Sequence, residues 1–256
     1  MEGISGAGRP CRVMGVVNVT PDSFSDGGRF LAPDDAIRHG LGLAAAGAAF
    51  LDIGGESTRP GADPLGWREE WRRIEPVVEG LRGSQCVIGV DTYHPETAER
   101  AVAAGAKLVN CVYEGPVPAM LEIVRRAPTD VELVVPASCL GKSVSPADLP
   151  RVYLDPMIGF GTTREEDLAL IKSVGELAKK GRVLFGASRK RIVRTLAGED
   201  RTDALLGGDV ALALWAAANG ASVVRVHDVR EVAQALRVWE TLENRSDLFY
   251  NVYKCE

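Results

Sequence analysis

An apolar run, MGVVN, ends on Asn18, and the segment after it carries Thr20, Asp22, Ser23, Ser25 and Asp26 before closing on Gly27 and Gly28. A solvated turn has no need of a side-chain amide followed by two carboxylates within eight residues. Strand-exit loops carry chemistry in barrels and doubly wound sheets, because the scaffold holds the strand while the loop is free to present polar groups. The same kind of group recurs where other apolar runs end: Asp52 to Arg59, Asp91, Asn110, Asp155, Lys190, and Arg225 with His227. Any one of them alone can cap a strand end. Asp91, Asn110 and Asp155 together ask for something more, since a buried carboxylate is costly unless a donor meets it. Arg225 and His227, two apart on one strand, project to one face.

The elements that must position these residues alternate regularly. Short β-branched or apolar runs lie near 12–18, 49–54, 86–91, 107–111, 131–136, 151–155, 182–186 and 222–227. Helical patterns lie between and after them, near 33–46, 66–82, 95–104, 116–127, 164–180, 188–218 and 228–242. This order predicts an α/β fold, a parallel (β/α)8 TIM barrel, with a doubly wound open sheet as the alternative. AAAGAAFLDIG, AVAAGAKLVNC and AAANGASVVRV each end a helix on a glycine, Gly47, Gly105 or Gly220, which turns the chain back toward the sheet. Between the fifth and sixth strands stands only ASCLGKSVSPADLP, with Pro146 and Pro150 leaving no room for two helical turns. The fifth barrel helix is therefore expected to be missing, leaving an exposed gap in the outer ring for a partner subunit to cover. One domain is expected over 1–256, with 1–11 as an N-terminal extension and 243–256 as a C-terminal tail.

Composition sets the outer bounds. The chain has 256 residues, 46% hydrophobic and 25% charged, enough to bury a large core in one domain. A net charge of −5 gives no general surface for nucleic acid or anionic membranes, so an anionic ligand must be held by a local cluster of donors. Cys11, Cys86, Cys111, Cys139 and Cys255 lack CxxC spacing, and no base neighbours Cys111 or Cys139, so they read as reduced thiols rather than nucleophiles. The absence of an 18-residue apolar run, and of a signal-peptide core in MEGISGAGRP, points to a soluble, cytoplasmic protein with no membrane partner.

Four separated segments, MGVVNVTPDSFSDGG at 14–28, DIGGESTRPGA at 52–62, GASRK at 186–190 and VRVHD at 224–228, together resemble dihydropteroate synthase, the pterin-binding enzyme family of folate synthesis. The resemblance runs from about Val13 to Leu242. It implies a transferase that condenses 6-hydroxymethyl-7,8-dihydropterin pyrophosphate with p-aminobenzoate, giving 7,8-dihydropteroate and pyrophosphate by an SN1-like path. By this resemblance Asp91, Asn110, Asp155 and Lys190 bind the pterin, whose amidine-like edge wants carboxylate and amide acceptors. Asn18, Thr58, Arg225 and His227 bind the pyrophosphate, with Mg2+ on Asn18. Phe24, Arg59, Pro60, Lys190 and Arg191 border the p-aminobenzoate pocket, where sulfonamides would compete. Asp26, Asp91 and Lys190 carry the catalytic roles, loops 20–28 and 54–62 act as lids, and a homodimer is implied.

Several positions depart from the family pattern. Met157 stands where the family has glycine, Thr162 where it has lysine, Arg191 where a small hydroxyl residue is common, and Cys111 where it has aspartate. PASCLG replaces a segment containing Met and His. These departures keep two other readings in view: a non-catalytic pterin-binding paralogue, and a methyltetrahydrofolate methyltransferase working with a corrinoid protein.

Overall fold

The computed structural model describes residues 10–19, 33–56 and 64–243. Asp26, Phe24, Thr58, Arg59 and Pro60 lie outside the described residues, as do 1–9 and 244–256 of the expected terminal segments.

Eight parallel strands close into a barrel in sequence order: β1 Arg12–Asn18, β2 Phe50–Gly54, β3 Val87–Asp91, β4 Leu108–Asn110, β5 Glu132–Pro136, β6 Val152–Asp155, β7 Arg182–Phe185 and β8 Val223–Val226. Their bounds agree with the sequence expectation to within one residue. The helices are α1 Pro33–Ala45, α2 Trp67–Leu81, α3 Pro95–Ala103, α4 Val117–Arg126, α5 Arg164–Lys172, α6 Val174–Ala178, α7 Arg191–Ala197, α8 Leu206–Ala218 and α9 Val229–Leu242. No helix among the described residues is long and apolar enough to cross a membrane. Gly47, Gly105 and Gly220 have φ of 108°, 107° and 89°, as expected of residues that turn a helix back toward a strand.

Two expected helices are broken. The stretch 164–180 divides at Ser173, whose hydroxyl donates back to the Leu170 carbonyl at 2.8 Å. The stretch 188–218 stops at Gly198, which takes φ 64° and ends α7 before α8 begins. Glycine also sets how closely helices pack. A Cβ at Gly40 would stand 2.7 Å from Leu81 Cδ1, and one at Gly80 2.4 Å from Ile37 Cδ1, so α1 and α2 meet through two notches.

The barrel interior is layered. Met14, Phe50, Leu108, Val134, Tyr153, Leu184 and Val223 fill its middle with apolar side chains. Below them, at the N-terminal mouth, Tyr153 OH accepts from Arg12 Nη2 at 2.6 Å and donates to Glu132 at 3.1 Å, while Arg182 pairs with Glu132. Above them Asn18, Asp52, Gly54, Asp91, Asn110, Asp155 and Arg225 take most of the inward positions, with Val16 and Pro136 as apolar exceptions, so the C-terminal mouth is the polar end of the barrel.

No α-helix connects β5 to β6, as expected; two 3-10 turns, Ala137–Cys139 and Leu149–Arg151, occupy the crossover. The expected exposed gap is not there. Segment 137–150 folds back over the strands, and Leu133, Val135, Val152 and Leu154 are fully buried with Cys139 and Val144 in the same cluster. Asp148 pins this cover. It accepts from Ser145 N at 2.9 Å, Ser145 Oγ at 2.6 Å and Arg125 Nε at 3.0 Å. The prolines forbid a helix, but an irregular segment with apolar residues at the right places excludes water equally well.

Burial raises the Asp148 pKa, yet the Ser145 and Arg125 hydrogen bonds outweigh it and leave the pKa below the ordinary value. A depressed carboxyl stabilises the fold above its unfolded pKa and loses that contribution as pH falls through the folded one. Asp148→Ala is expected to lower urea stability by about 2 kcal/mol at neutral pH, and by less in acid. Equal losses at pH 7 and pH 3 would contradict this account.

Candidate active site

Arg225 lies at the centre of the C-terminal mouth. From β8 its Nε donates to Asp52 Oδ2 at 2.6 Å and its Nη2 to Asp91 Oδ2 at 2.9 Å. Asp52, fully buried on β2, also accepts from Asn110 Nδ2 at 3.0 Å. Four strands are thus tied through one guanidinium and one carboxylate, directly above the apolar layer. In the sequence Asp52 stands among the strand-end polar groups with no ligand role of its own. The signal was a lone carboxylate inside FLDIG, sharing the inward face with Phe50.

The register explains the convergence. Asn18 pairs with Gly54, Gly54 with Asp91 and Asp91 with Asn110, so these residues stand at one level around β1 to β4. Gly54 keeps the space between them clear: a Cβ there would lie 3.7 Å from Asp91 Cβ and 3.9 Å from Asn18 Oδ1. Asp52 Oδ1 and Asn110 Oδ1 are buried acceptors with no partner among the described residues.

Asp155 and Lys190 enter from β6 and from the start of α7. Asp155 Oδ1 accepts from Met157 N at 2.6 Å, and Lys190 Nζ donates to the Ile158 carbonyl at 2.6 Å, 4.5 Å from the centre of the Phe160 ring. Burial pushes the Asp155 carboxyl up. It pushes Asp91 up to about 7, with the neighbouring Asp52 charge adding to the effect and Arg225 opposing it. Burial pulls Lys190 down to about 8, against the attraction of Asp155. Three carboxylates face two cations here, so the site has an excess of acceptors and suits a ligand with a donor-rich edge.

His227 sits beside the GASRK segment. Its Nδ1 is 3.1 Å from Ser188 Oγ, which also lies 2.9 Å from Asp209 Oδ2. Arg189, with φ 58°, donates its N–H to Asp209 at 3.0 Å and its guanidinium to Asp228 at 2.8 Å. Asp209 leaves one trace in the sequence, a single carboxylate in the otherwise apolar GGDVALALW, and is not among the expected site residues.

The departures at 157, 162 and 191 acquire physical content. Met157 has φ 64°, a conformation costing a side-chain-bearing residue about 1–2 kcal/mol, and this explains why glycine suits the position. Thr162 donates its hydroxyl to Asp167, while Arg191 donates to the Thr162 carbonyl at 2.6 Å and stands 3.7 Å from Asp167 Oδ2. Arg191 therefore sets a guanidinium beside Thr162. Cys111 is buried and its thiol is pushed up to about 12 by burial, which suits an inert packing residue. At the base of the loop after β2, Tyr93 OH donates to Glu56 at 2.8 Å.

A family profile described as "Pterin binding enzyme" matches residues 14–142 and 142–227. The dihydropteroate synthase of Mycobacterium leprae (strain TN) is 39% identical over 262 residues, covering 90% of this chain and 92% of the relative. The chain belongs to the dihydropteroate synthase family. Two solved family structures from Xanthomonas albilineans agree in fold. One, with 4-aminobenzoic acid, has a TM-score of 0.79 at 37% identity, covering 93% of this chain and 94% of that one. The other, in complex with 7,8-dihydropteroate, has a TM-score of 0.78 at 35% identity, covering 93% and 95%.

If Asp91 must accept from the ligand while Lys190 donates, a pH profile follows. The kcat/KM for the pterin substrate is expected to rise through about pH 7 as Asp91 ionises and to fall through about pH 8 as Lys190 loses its proton. Asp91→Asn should remove the acidic limb, and Lys190→Arg should carry the alkaline limb out of range. A flat profile from pH 6 to 9 would separate both groups from the reaction.

Proposed function

We propose that this chain condenses 6-hydroxymethyl-7,8-dihydropterin pyrophosphate with p-aminobenzoate, forming 7,8-dihydropteroate and releasing pyrophosphate. The observation that carries this reading is the ring of acceptors at the barrel mouth, Asp91, Asn110 and Asp155, with Lys190 and Arg225 set among them. The pterin's amino and ring N–H groups would donate to the acceptors, and its carbonyl would accept from Lys190.

Ionisation of the C–O bond sends the electron pair out with pyrophosphate and leaves a methylene cation on the ring. The carboxylates of Asp91, Asp155 and Asp26 stabilise that positive charge. The amine lone pair then closes the C–N bond, and its proton passes to solvent. The protein's part is positioning and electrostatic stabilisation of separated charge. Asn18, Thr58, Arg225 and His227 hold the leaving group. Phe24, Arg59, Pro60, Lys190 and Arg191 border the amine and its carboxylate, and sulfonamides would compete there. The donor edge of Arg225 that faces Asp52 and Asp91 is already engaged, so its share in pyrophosphate binding falls to the rest of the guanidinium.

Among the described residues no three His, Cys, Asp or Glu side chains are grouped to hold a metal ion. Asn18 offers one neutral oxygen. That donor set fits Mg2+ bound mainly through phosphate oxygens and water, where it would offset charge on the leaving pyrophosphate.

A homodimer is part of the reading. Apart from the buried Asp209, helix α8 carries only apolar side chains, yet Leu206 is exposed and Leu212, Leu214 and Trp215 are only half-buried, as is expected of a helix that a second copy covers. Cytoplasmic location is supported by the unbridged thiols of Cys86, Cys111 and Cys139.

Purified protein with Mg2+ and both substrates is expected to release one pyrophosphate per dihydropteroate, and Asp155→Asn to lower kcat/KM about 100-fold. Failure of the unaltered protein to release pyrophosphate would end the transferase reading. Tight pterin binding without turnover would then favour the non-catalytic paralogue.

A further inference from the structure

The segment from Asp155 to Thr163 crosses the site as a series of turns, with Met157, Gly159 and Gly161 at φ 64°, 77° and 72°. A carboxylate outside the pterin-facing ring holds it there. Asp167, fully buried in the first turn of α5, accepts from the Gly159 N–H at 2.7 Å and from the Thr162 hydroxyl at 2.5 Å. The carbonyl of the same peptide unit belongs to Ile158, and it accepts from Lys190 Nζ at 2.6 Å. One planar amide therefore meets a carboxylate at its N–H end and an ammonium at its C=O end. Both charges polarise the amide in the same sense, so each hydrogen bond strengthens the other. A Cβ at Gly159 would stand 3.0 Å from Lys190 Cδ, so the lysine stem runs close along this peptide.

We propose that Asp167 is a positioning residue for Lys190, fixing the ammonium through the Ile158–Gly159 peptide and adding to the negative field that keeps it charged. The proposal rests on the pterin reading of the site. Lys190 is faced by Asp155 from β6, Arg225 from β8, Asp167 from α5 and Asp91 from β3, with the Phe160 ring beside it. Burial pulls its pKa down; Asp155, Asp167 and Asp91 raise it, and Arg225 lowers it. Of the three carboxylates, Asp167 alone is joined to Lys190 through a peptide and stands outside the pterin-facing ring. Arg191, with Nη2 3.7 Å from Asp167 Oδ2, shares the carboxylate's field from the solvent side. Removing the Asp167 charge should weaken the hold on the ammonium, and removing the Arg191 charge should strengthen it.

The test is pterin binding to the full chain, followed by fluorescence from pH 6 to 10 without the second substrate. Asp167→Asn keeps an acceptor for Gly159 but loses the charge. It is expected to move the alkaline limb of binding down by about half a pH unit or more and to weaken binding about tenfold. Arg191→Met is expected to move the limb up. A helix-pinning role without coupling to Lys190 would change the melting temperature and leave the limb in place. An unmoved limb in folded Asp167→Asn overturns the proposal while the pterin reading stands, whereas no pterin binding by the unaltered protein overturns both. If Asp167→Asn fails to fold, the unaltered protein decides: the Gly159 amide resonance should be protected from exchange and should titrate with Lys190 near pH 8. A flat Gly159 resonance overturns the proposal.

Discussion

Arg225 is held between Asp52 and Asp91 directly above a dry layer of barrel side chains, and the rest of the mouth is organised around that contact. A buried guanidinium must be matched by acceptors, and buried carboxylates must be matched by donors. Once β8 contributes the cation, β2 and β3 have to place their carboxylates within reach. Asn110 on β4 then completes Asp52. Removing one partner would leave another charge buried and unmatched, so the arrangement acts as a unit. Its surplus of acceptors is what a donor-edged heterocycle can use.

Closure of the barrel makes this unit possible. β1 pairs with β8, which brings residues more than two hundred positions apart in the chain to one mouth. The apolar middle layer gives the site a low-dielectric floor, and the pairs at the N-terminal mouth seal the other end. Gly54 leaves the space between Asn18 and Asp91 free of a side chain. The outer ring tolerates the loss of a helix because segment 137–150 supplies buried residues where the helix would have stood.

A second set of carboxylates supports the first from outside. Asp209 receives Ser188 and Arg189 beside His227, and Asp167 receives Gly159 and Thr162 behind Lys190. Both project from helices into the loops that follow barrel strands. Local strain accumulates in those loops, where Met157 and Arg189 adopt positive φ. Such conformations persist when surrounding hydrogen bonds over-determine them. The helices therefore do more than shield the sheet; they set the conformation of the loops that carry the site.

Alternating apolar runs, glycine-ended helices and polar strand ends were enough to read the barrel from the chain, because strand and helix periods and left-handed caps are local properties. The prolines of 137–150 likewise excluded a helix by local sterics. Asp91, Asn110, Asp155 and Lys190 stood out as polar groups ending apolar runs. What covers a gap is a matter of packing, so the loop that fills it could not be read from proline alone. The role of Asp52 depends on cross-strand register, and those of Asp167 and Asp209 on how helices dock against loops. Such partners lie far apart in sequence, and only the closed barrel decides which donors meet which carboxylates.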